Sequence, residues 1–574
     1  MVSPHKVWKL KPPTPRAAEL AREAGITPLQ ARLLINRGIG ESGAAQSFLS
    51  PRLSQMADPM LMKGMEGAVK TILATVEARD KITIYGDYDA DGLTATAVLV
   101  HFFSDIGVAA EAYIPNRLEE GYGLNREAVE QIGRNGTGLI ITVDCGISGT
   151  KEVGLAQAMG LDVVVTDHHQ LSGRPVPPCP VVNPHQPDCP FPFKGLSGVG
   201  LAFFLSVSVR AALRAKGWFR DRTEPDLREY LDLVALGTVA DRVPLTGQNR
   251  ILVRAGLGRI ADSRWPGIRA MMDVAGVRNT EISTDDLAFR LAPRLNAPGR
   301  LGDSHAGLEI LTVPGVKRAA ELAGKINLEN ARRQQMEQSI LDRIEEMIRA
   351  RKDLGGRRVL ILWGENWHQG VLGIVASRLV EKYHRPSLVV GVKDGIATGS
   401  GRSIDGFNLY KALSRLPPLF KRFGGHAHAA GFTLDEENLE ILESEIEALA
   451  RRELAEEALT PAVEVDSDLS LSDISREMIH QIMALAPFGE GNPDPVFRSR
   501  SLEVLGSRVV GGRHLKLRVR QGGTILDAIG FSFGHRFSLN GRRIDMVFTP
   551  ELNRYRGSEK VQLRVVDLKI CNGT

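Results

Sequence analysis

KITIYGDYDADGLTATAVLV, Lys81 to Val100, places Asp87, Asp89 and Asp91 within five residues of chain. Ile82, Ile84 and Tyr85 read as a short apolar strand, and the run from Gly92 (GLTATAVLVHFF) reads as a helix. The acids therefore fall on a strand-to-helix loop at the carboxyl edge of a sheet, where open α/β folds gather their chemistry. Carboxylates this close repel, and each raises its neighbours' pKa unless a cation neutralises them. A divalent metal site and a solvated Asp/Gly turn are the two readings of the loop taken alone. Two others fail on spacing. Gly86 and Gly92 have five residues between them rather than four, and Leu93-Thr94 stands where a phosphate-binding Walker loop needs Lys-Ser/Thr. Counted from Asp87, position twelve is Val98, where an EF-hand requires a carboxylate.

Outward from this loop the chain alternates short apolar strands (GVAAEAYIP, GLIITVD, LDVVVTD) with helical segments (NREAVEQIGRNG, TKEVGLAQAMG). That alternation predicts a parallel, doubly wound sheet. Two of its strands also end in chemistry: ITVDCGIS puts Asp144 at a strand terminus, and VVVTDHHQ puts Asp167, His168 and His169 at the next. One acid at a strand end is an ordinary cap, whereas three successive strands delivering potential ligands to one edge point to a metal centre. LDLVALGTVADRVPL, an apolar helix or strand, brings Asp241. Carboxylates with one or two imidazoles suit Mg²⁺ or Mn²⁺ better than a thiolate-rich zinc site. Such a set can hold two ions, which favours metal-dependent hydrolysis of a phosphoester or phosphoanhydride.

Length and composition set the frame. The 574 residues exceed one core, and 43% hydrophobic with 24% charged residues describes a globular chain. The apolar runs read as short of a membrane span and MVSPHKVWKLKPP has no signal-peptide core, so the expectation is a cytoplasmic protein without a membrane partner. Cys145, Cys179, Cys189 and Cys571 lack zinc or redox spacing. From Arg498 to Thr574 there are 15 Lys/Arg against 6 Asp/Glu, although the whole chain carries only +4, so the basic surplus sits in the tail and suggests a polyanion partner.

Residues 1–75 read as a helical lead-in, without the Arg/Asn/Gln cluster of a recognition helix. The catalytic α/β domain spans 76–314. At 315–355 an uninterrupted helix (INLENARRQQMEQSILDRIEEMIRARKD), roughly 40 Å long, reads as a rigid connector. A second α/β domain, 356–460, opens with RRVLILWG and contains GGHAHAAG, whose small residues would let backbone approach a ligand as in a glycine-rich loop. The remainder, 461–574, is β in pattern. In HLKLRVR, Leu515, Leu517 and Val519 alternate with His514, Lys516, Arg518 and Arg520, as expected for a five-stranded OB-like barrel with one basic face. His514, Phe533 and Tyr555 are its candidate base-stacking residues.

GDYDADG, VDCGIS, TDHH and GTVADRVPL together resemble the four motifs of the DHH phosphoesterases. FLSPRLSQMADPMLMKGMEGAVKTI, IPNRLEEGYGLN, RLNAPGRLGD and GGHAHAAGFTL extend the likeness over nearly the whole chain, to the single-strand-specific exonucleases of that family. The resemblance implies a DHH-type parallel-sheet domain joined by a long helix to a DHH-associated domain. It implies two Mn²⁺ or Mg²⁺ ions on Asp87, Asp89, Asp144, His168 and Asp241, with Asp144 bridging and acting with His169 in catalysis. From chemistry alone the two histidines are interchangeable; in the family the first binds metal and the second faces the scissile phosphate. Asp91, beside Gly92, is left to cap the following helix. No histidine precedes the first acid pair, unlike in some relatives, which leaves one ion fewer ligands. Arg117, Asn296, Arg300, Ser400, Arg402, Gly425 and His426 become the substrate contacts, arginine matching phosphate oxygens bidentately.

The implied activity is 5′→3′ degradation of single-stranded DNA to 5′-mononucleotides in repair and recombination. The strand would thread between two lobes, the enzyme would be a monomer, and a single-strand DNA-binding protein would be its partner. The rivals are a DHH phosphodiesterase for short oligoribonucleotides or cyclic dinucleotides, which would not need a basic barrel, and a non-catalytic replication scaffold, which would have lost acids or histidines retained here.

Overall fold

A computed structural model describes residues 6–571 apart from 118, 172, 174, 279–280, 535–537 and 556–557, with backbone alone at 352, 554, 555 and 558. The chain divides into two compact units, one of residues 46–333 and 486–493, the other of 1–45, 334–485 and 494–574.

Strand β1 (Val7–Leu10) belongs to the second of these, and the metal-ligand candidates to the first. In that first unit β2 (Lys81–Tyr85), β3 (Ala110–Tyr113), β4 (Thr137–Val143), β5 (Asp162–Thr166) and β6 (Val181–Val182) form a wholly parallel sheet of order β3-β2-β4-β5-β6. Its central strands are apolar on both sides because both faces are covered. Ile82, Ile84, Leu139, Ile141, Val143 and Val164 face a large core with helices Ala90–Asp105, Gly198–Ala215 and Leu231–Ala240. Tyr85, Ile140, Val163 and Val165 face a smaller core with helices Arg126–Arg134 and Thr150–Ala158. Because β2 lies between β3 and β4, the loops leaving the carboxyl ends of β2 and β4 diverge, the crevice in which such sheets bind ligands.

One open alternative closes here and one expectation changes. LDLVALGTVA is a helix, buried on every side. Gly198–Ala215 is long and apolar enough to cross a membrane by length and composition, contrary to the reading that all apolar runs fall short, but 67% of it is buried within the protein as a core helix.

The helix Val316–Ala350 runs 35 residues, about 52 Å, longer than read because it continues through Gly324. It is also more than a spacer: Ala319, Leu322, Ala323 and Ile326 join the core of the first unit, and Ile340, Ile344 and Ile348 join a core of the other.

In the second unit β7 (Leu360–Glu365), β8 (Ser387–Lys393), β9 (Ile396–Arg402), β10 (Phe420–His426) and β11 (Ala429–Asp435) make a mixed sheet of order β10-β11-β9-β8-β7. GGHAHAAG is therefore no phosphate-type loop but the tip of the β10–β11 hairpin. Gly425 is needed there because φ is +143° and a Cβ would lie 2.3 Å from the Ala429 carbonyl oxygen. Strand β12 (Ala462–Val465) pairs in parallel with β1, a strand within the lead-in read as helical. After the short β13 (Ser467–Asp468), strands β14 (Phe497–Val510), β15 (His514–Gln521), β16 (Thr524–Gly530), β17 (Arg543–Tyr555) and β18 (Ser558–Ile570) close into a five-stranded barrel through the β14–β17 pairing. Leu515, Leu517 and Val519 fill it, at 0%, 1% and 0% exposure, while Arg518 and Arg520 stay outside as the alternation requires.

Candidate metal centre

Each acidic loop is held in place by local geometry. Beyond β2, Asp89 is the N-cap of helix Ala90–Asp105, its Oδ1 accepting from the Asp91 and Gly92 amides at 2.9 and 3.1 Å. The cap is thus Asp89, not Asp91. Asp91 is buried and caps a different helix, accepting from the Gly198 and Val199 amides at 2.6 and 2.9 Å. Asp144 follows β4 with φ +61°, a left-handed conformation uncommon outside glycine and held only by its surroundings. Among them is Gly198, where a Cβ would sit 2.6 Å from Asp144 Cβ. Beyond β5, Asp167 accepts from the Ile147 amide at 2.9 Å and from His169, through its amide at 2.9 Å and its Nδ1 at 2.8 Å. Asp241 terminates helix Leu231–Ala240.

These loops converge. His168 Nε2 lies 3.0 Å from Asp144 Oδ1, 3.5 Å from Asp241 Oδ2 and 3.9 Å from Asp91 Oδ2. Three overlapping groups have ligand atoms within 4.8 Å of one another: Asp87, Asp89 and Asp144; Asp91, His168 and Asp241; and Asp144, His168 and His169. Burial, reinforced by the neighbouring carboxylates, pushes the pKa values of Asp87, Asp91 and Asp144 well above the usual range. Burial also raises Asp241, against the opposing pull of His168, and lowers His168. Asp87 Oδ1, Asp144 Oδ1, His168 Nε2 and Asp241 Oδ2 are all buried without a hydrogen-bond partner. Four orphaned lone-pair donors aimed into one space would be costly unless cations occupied it, so the residues fit a divalent metal. The donor set, oxygen with one or two imidazoles, suits Mn²⁺ or Mg²⁺.

His169 is the exception in charge. Burial draws its pKa down, but the hydrogen bond and charge of Asp167 outweigh that and raise it to about 9. Its Nδ1 also lies 3.1 Å from the Tyr122 hydroxyl, which donates to the Asp144 carbonyl at 3.3 Å. Asp167, Tyr122 and Asp91 are the neighbours sequence reasoning left out. Asp91 stood in the acidic loop and was read as a helix cap, Asp167 had a signal in its offset of two from His169, which suits a local side-chain hydrogen bond, and Tyr122 had none.

Arg117, Asn296 and Arg300 belong with this cluster. Arg117 stacks 4.9 Å over the Tyr88 ring, Asn296 Oδ1 accepts from the Ala90 amide at 2.7 Å, and the charges of Arg117 and Arg300 both act on Tyr88. Ser400, Arg402, Gly425 and His426 lie in the other unit and form a group of their own: Arg402 Nη1 donates to Ser400 Oγ at 3.2 Å, and Ser400 and Arg402 on β9 pair with Gly431 and Ala429 on β11, beside β10. On the barrel, His514 meets Phe531 edge-on at 5.3 Å, and Phe531 is 55% exposed. Phe531 was not among the expected stacking residues. Phe533 instead packs over Gly530, and the side chain of Tyr555 lies outside the described residues.

Comparison with known proteins follows the same division. Residues 81–238 match the DHH family N-terminal domain, 356–452 the DHHA1 domain, and 465–567 the RecJ OB domain. The chain is 37% identical to the single-stranded-DNA-specific exonuclease RecJ of Bacillus subtilis over 98% of this chain and 71% of that one. It is 38% identical to the protein of that name from Escherichia coli, over 94% and 95%. The crystal structure of RecJ with Mn²⁺ from Thermus thermophilus superposes with a TM-score of 0.84 at 30% identity, covering 99% of this chain and 80% of that one.

Proposed function

Since this chain belongs to the RecJ family of the DHH phosphoesterases and is a metal-dependent exonuclease of single-stranded DNA, we propose which of its residues do that work. The observation that carries the reading is the set of buried, orphaned donors on Asp87, Asp144, His168 and Asp241. Asp87, Asp89, Asp144, His168 and Asp241 would hold the Mn²⁺ or Mg²⁺ ions, two being the number this donor set would accommodate. When bound, such ions supply an activated water and neutralise charge gathering on the phosphoryl oxygens.

The protein supplies the rest. His169, oriented and kept protonated by Asp167, donates to an oxygen of the scissile phosphate. Arg117 and Arg300 grip the terminal 5′ phosphate, and Asn296 steadies the start of helix Ala90–Asp105 beside Asp89. Gripping a 5′ end gives 5′→3′ polarity and 5′-mononucleotide products, consistent with repair and recombination in the cytoplasm. Ser400, Arg402, Gly425 and His426 contribute strand contacts from the DHHA1 region. The OB domain, whose basic surplus lies from Arg498 onward (15 basic against 6 acidic residues over 498–574), binds the incoming strand. We also propose the five-part division at residues 75, 314, 355 and 460, a monomeric enzyme, and a single-strand DNA-binding protein as partner.

The test is hydrolysis of 5′-labelled single-stranded DNA, duplex DNA and a short RNA, each with Mn²⁺ and with EDTA. Mononucleotide release from the single strand alone, abolished by EDTA, is expected. Activity confined to the RNA, or release from the 3′ end, overturns the assignment.

A further inference from the structure

Asp241 occupies an awkward position, and the support for it comes from an unexpected part of the chain. The residue after it, Arg242, has φ +63°, so the ligand sits on a turn that its own sequence does not favour. Pro244 and Leu245 follow, and both are gripped from behind. Asn249, fully buried, donates from Nδ2 to the Pro244 carbonyl at 3.0 Å and to the Gly195 carbonyl at 2.5 Å. Gly195 leads into the start of helix Gly198–Ala215, where Gly198 packs on Asp144. One amide thus joins the supports of two acids.

The second grip is Ala486–Pro493. These eight residues pack with the catalytic unit although the chain on either side belongs to the other unit. The Leu245 amide donates to the Glu490 carbonyl at 2.7 Å. A Cβ on Gly491, where φ is +70°, would lie 3.0 Å from Pro244 Cβ. The segment is braced in turn: Thr284 Oγ1 donates to the Phe488 carbonyl at 2.7 Å, Arg250 Nη2 to that of Ala486 at 2.9 Å, and Asn492 Nδ2 to that of Pro487 at 2.8 Å. A strained ligand turn requires surroundings that fix it, and this segment supplies them.

We propose that Asn249 and the clasp Ala486–Pro493 are positioning elements of the metal centre, setting its affinity by holding the Asp241 turn. The inference rests on Asp241 being a ligand. Partners behind a metal ligand typically govern affinity by about 10- to 100-fold.

The test uses the full chain with Asn249→Asp, nearly isosteric but turning an acceptor toward two carbonyls, and Thr284→Val, which frees the clasp at one point. Ser206→Ala removes a buried hydroxyl that donates to Ala202 in the core, and serves as the structural control. Mn²⁺ affinity by calorimetry and half-activating Mn²⁺ are read beside melting in EDTA. Expected is roughly tenfold weaker Mn²⁺ binding in Asn249→Asp and a smaller shift in the same direction in Thr284→Val. Activity should return at saturating Mn²⁺, the KM for single-stranded DNA should stay unchanged, and Ser206→Ala should bind Mn²⁺ like the native protein. Native Mn²⁺ affinity in both variants, or an activity loss that excess Mn²⁺ does not restore, overturns the proposal. Native affinity in Asp241→Asn would instead sink the ligand assignment beneath it.

Discussion

The metal centre and the outer face of the barrel both gather charge, with opposite physics. At the centre, carboxylates are buried together, at 5% exposure for Asp87, 1% for Asp91 and 2% for Asp144, an arrangement that in the ionised state only a cation makes tolerable. On the barrel, Arg518 and Arg520 are exposed to solvent, and Arg520 pairs with Glu503 at 2.6 Å. Buried charge concentrates function in single atoms, whereas exposed charge in high dielectric spreads it over many weak contacts. One region should therefore fail at a single substitution and the other degrade gradually.

The strongest way to break that contrast is Asp144→Ala. Asp144 stands in two of the three ligand groups and 3.0 Å from His168. Hydrolysis of labelled single-stranded DNA should fall below about a thousandth of native, the scale for losing a charge-stabilising group in an active site. DNA binding by the folded variant, measured by anisotropy, should stay within a fewfold of native. Retained hydrolysis would show that the buried acids are not the catalytic centre.

The same contrast explains what could be read from sequence. Strands at a parallel-sheet edge must end near one another, so Asp87, Asp144 and His168 could be brought together from periodicity alone, and the barrel from the alternation in HLKLRVR. What stayed hidden depended on orientation or on distant chain. Asp91 was read as a cap for its own helix because sequence shows the next helix, not the Gly198 amide it reaches. The hairpin at GGHAHAAG was hidden because a glycine required by φ looks the same as one that makes room for a ligand. The docking of Ala486–Pro493 on Leu245 has no local signal, since its main link is between backbone groups.

A second, smaller effect sharpens the comparison through pH. The folded pKa values of Asp87, Asp91, Asp144 and Asp241 are raised by burial above those of the unfolded chain. Raised groups favour the fold while protonated, and that contribution is lost as pH rises through the folded values. The metal-free protein should therefore lose stability toward neutral pH, and Mn²⁺, which binds the deprotonated set, should restore it. The melting increment from Mn²⁺ over EDTA should grow by several degrees between about pH 5 and about pH 8. An increment independent of pH would mean that the acids ionise without strain and that the buried cluster behaves like the surface.

Arg518→Ala probes the opposite region and carries the smallest expected effect. Arg518 is exposed on β15, opposite Gly506 on β14 and Asp527 on β16, on the face away from Leu515, Leu517 and Val519. A side chain there reads no base and meets at most one phosphate, so its loss should weaken single-stranded DNA binding by about twofold at moderate salt, equally for all sequences. The informative quantity is the salt dependence. Each phosphate contact contributes about 0.7 to the slope of log affinity against log salt on a single strand, so the variant's slope should drop by roughly that amount. Cleavage at saturating DNA should not change. A large fall in kcat, or an affinity loss with an unchanged slope, would show that Arg518 acts through structure and that the barrel is as centralised as the metal site.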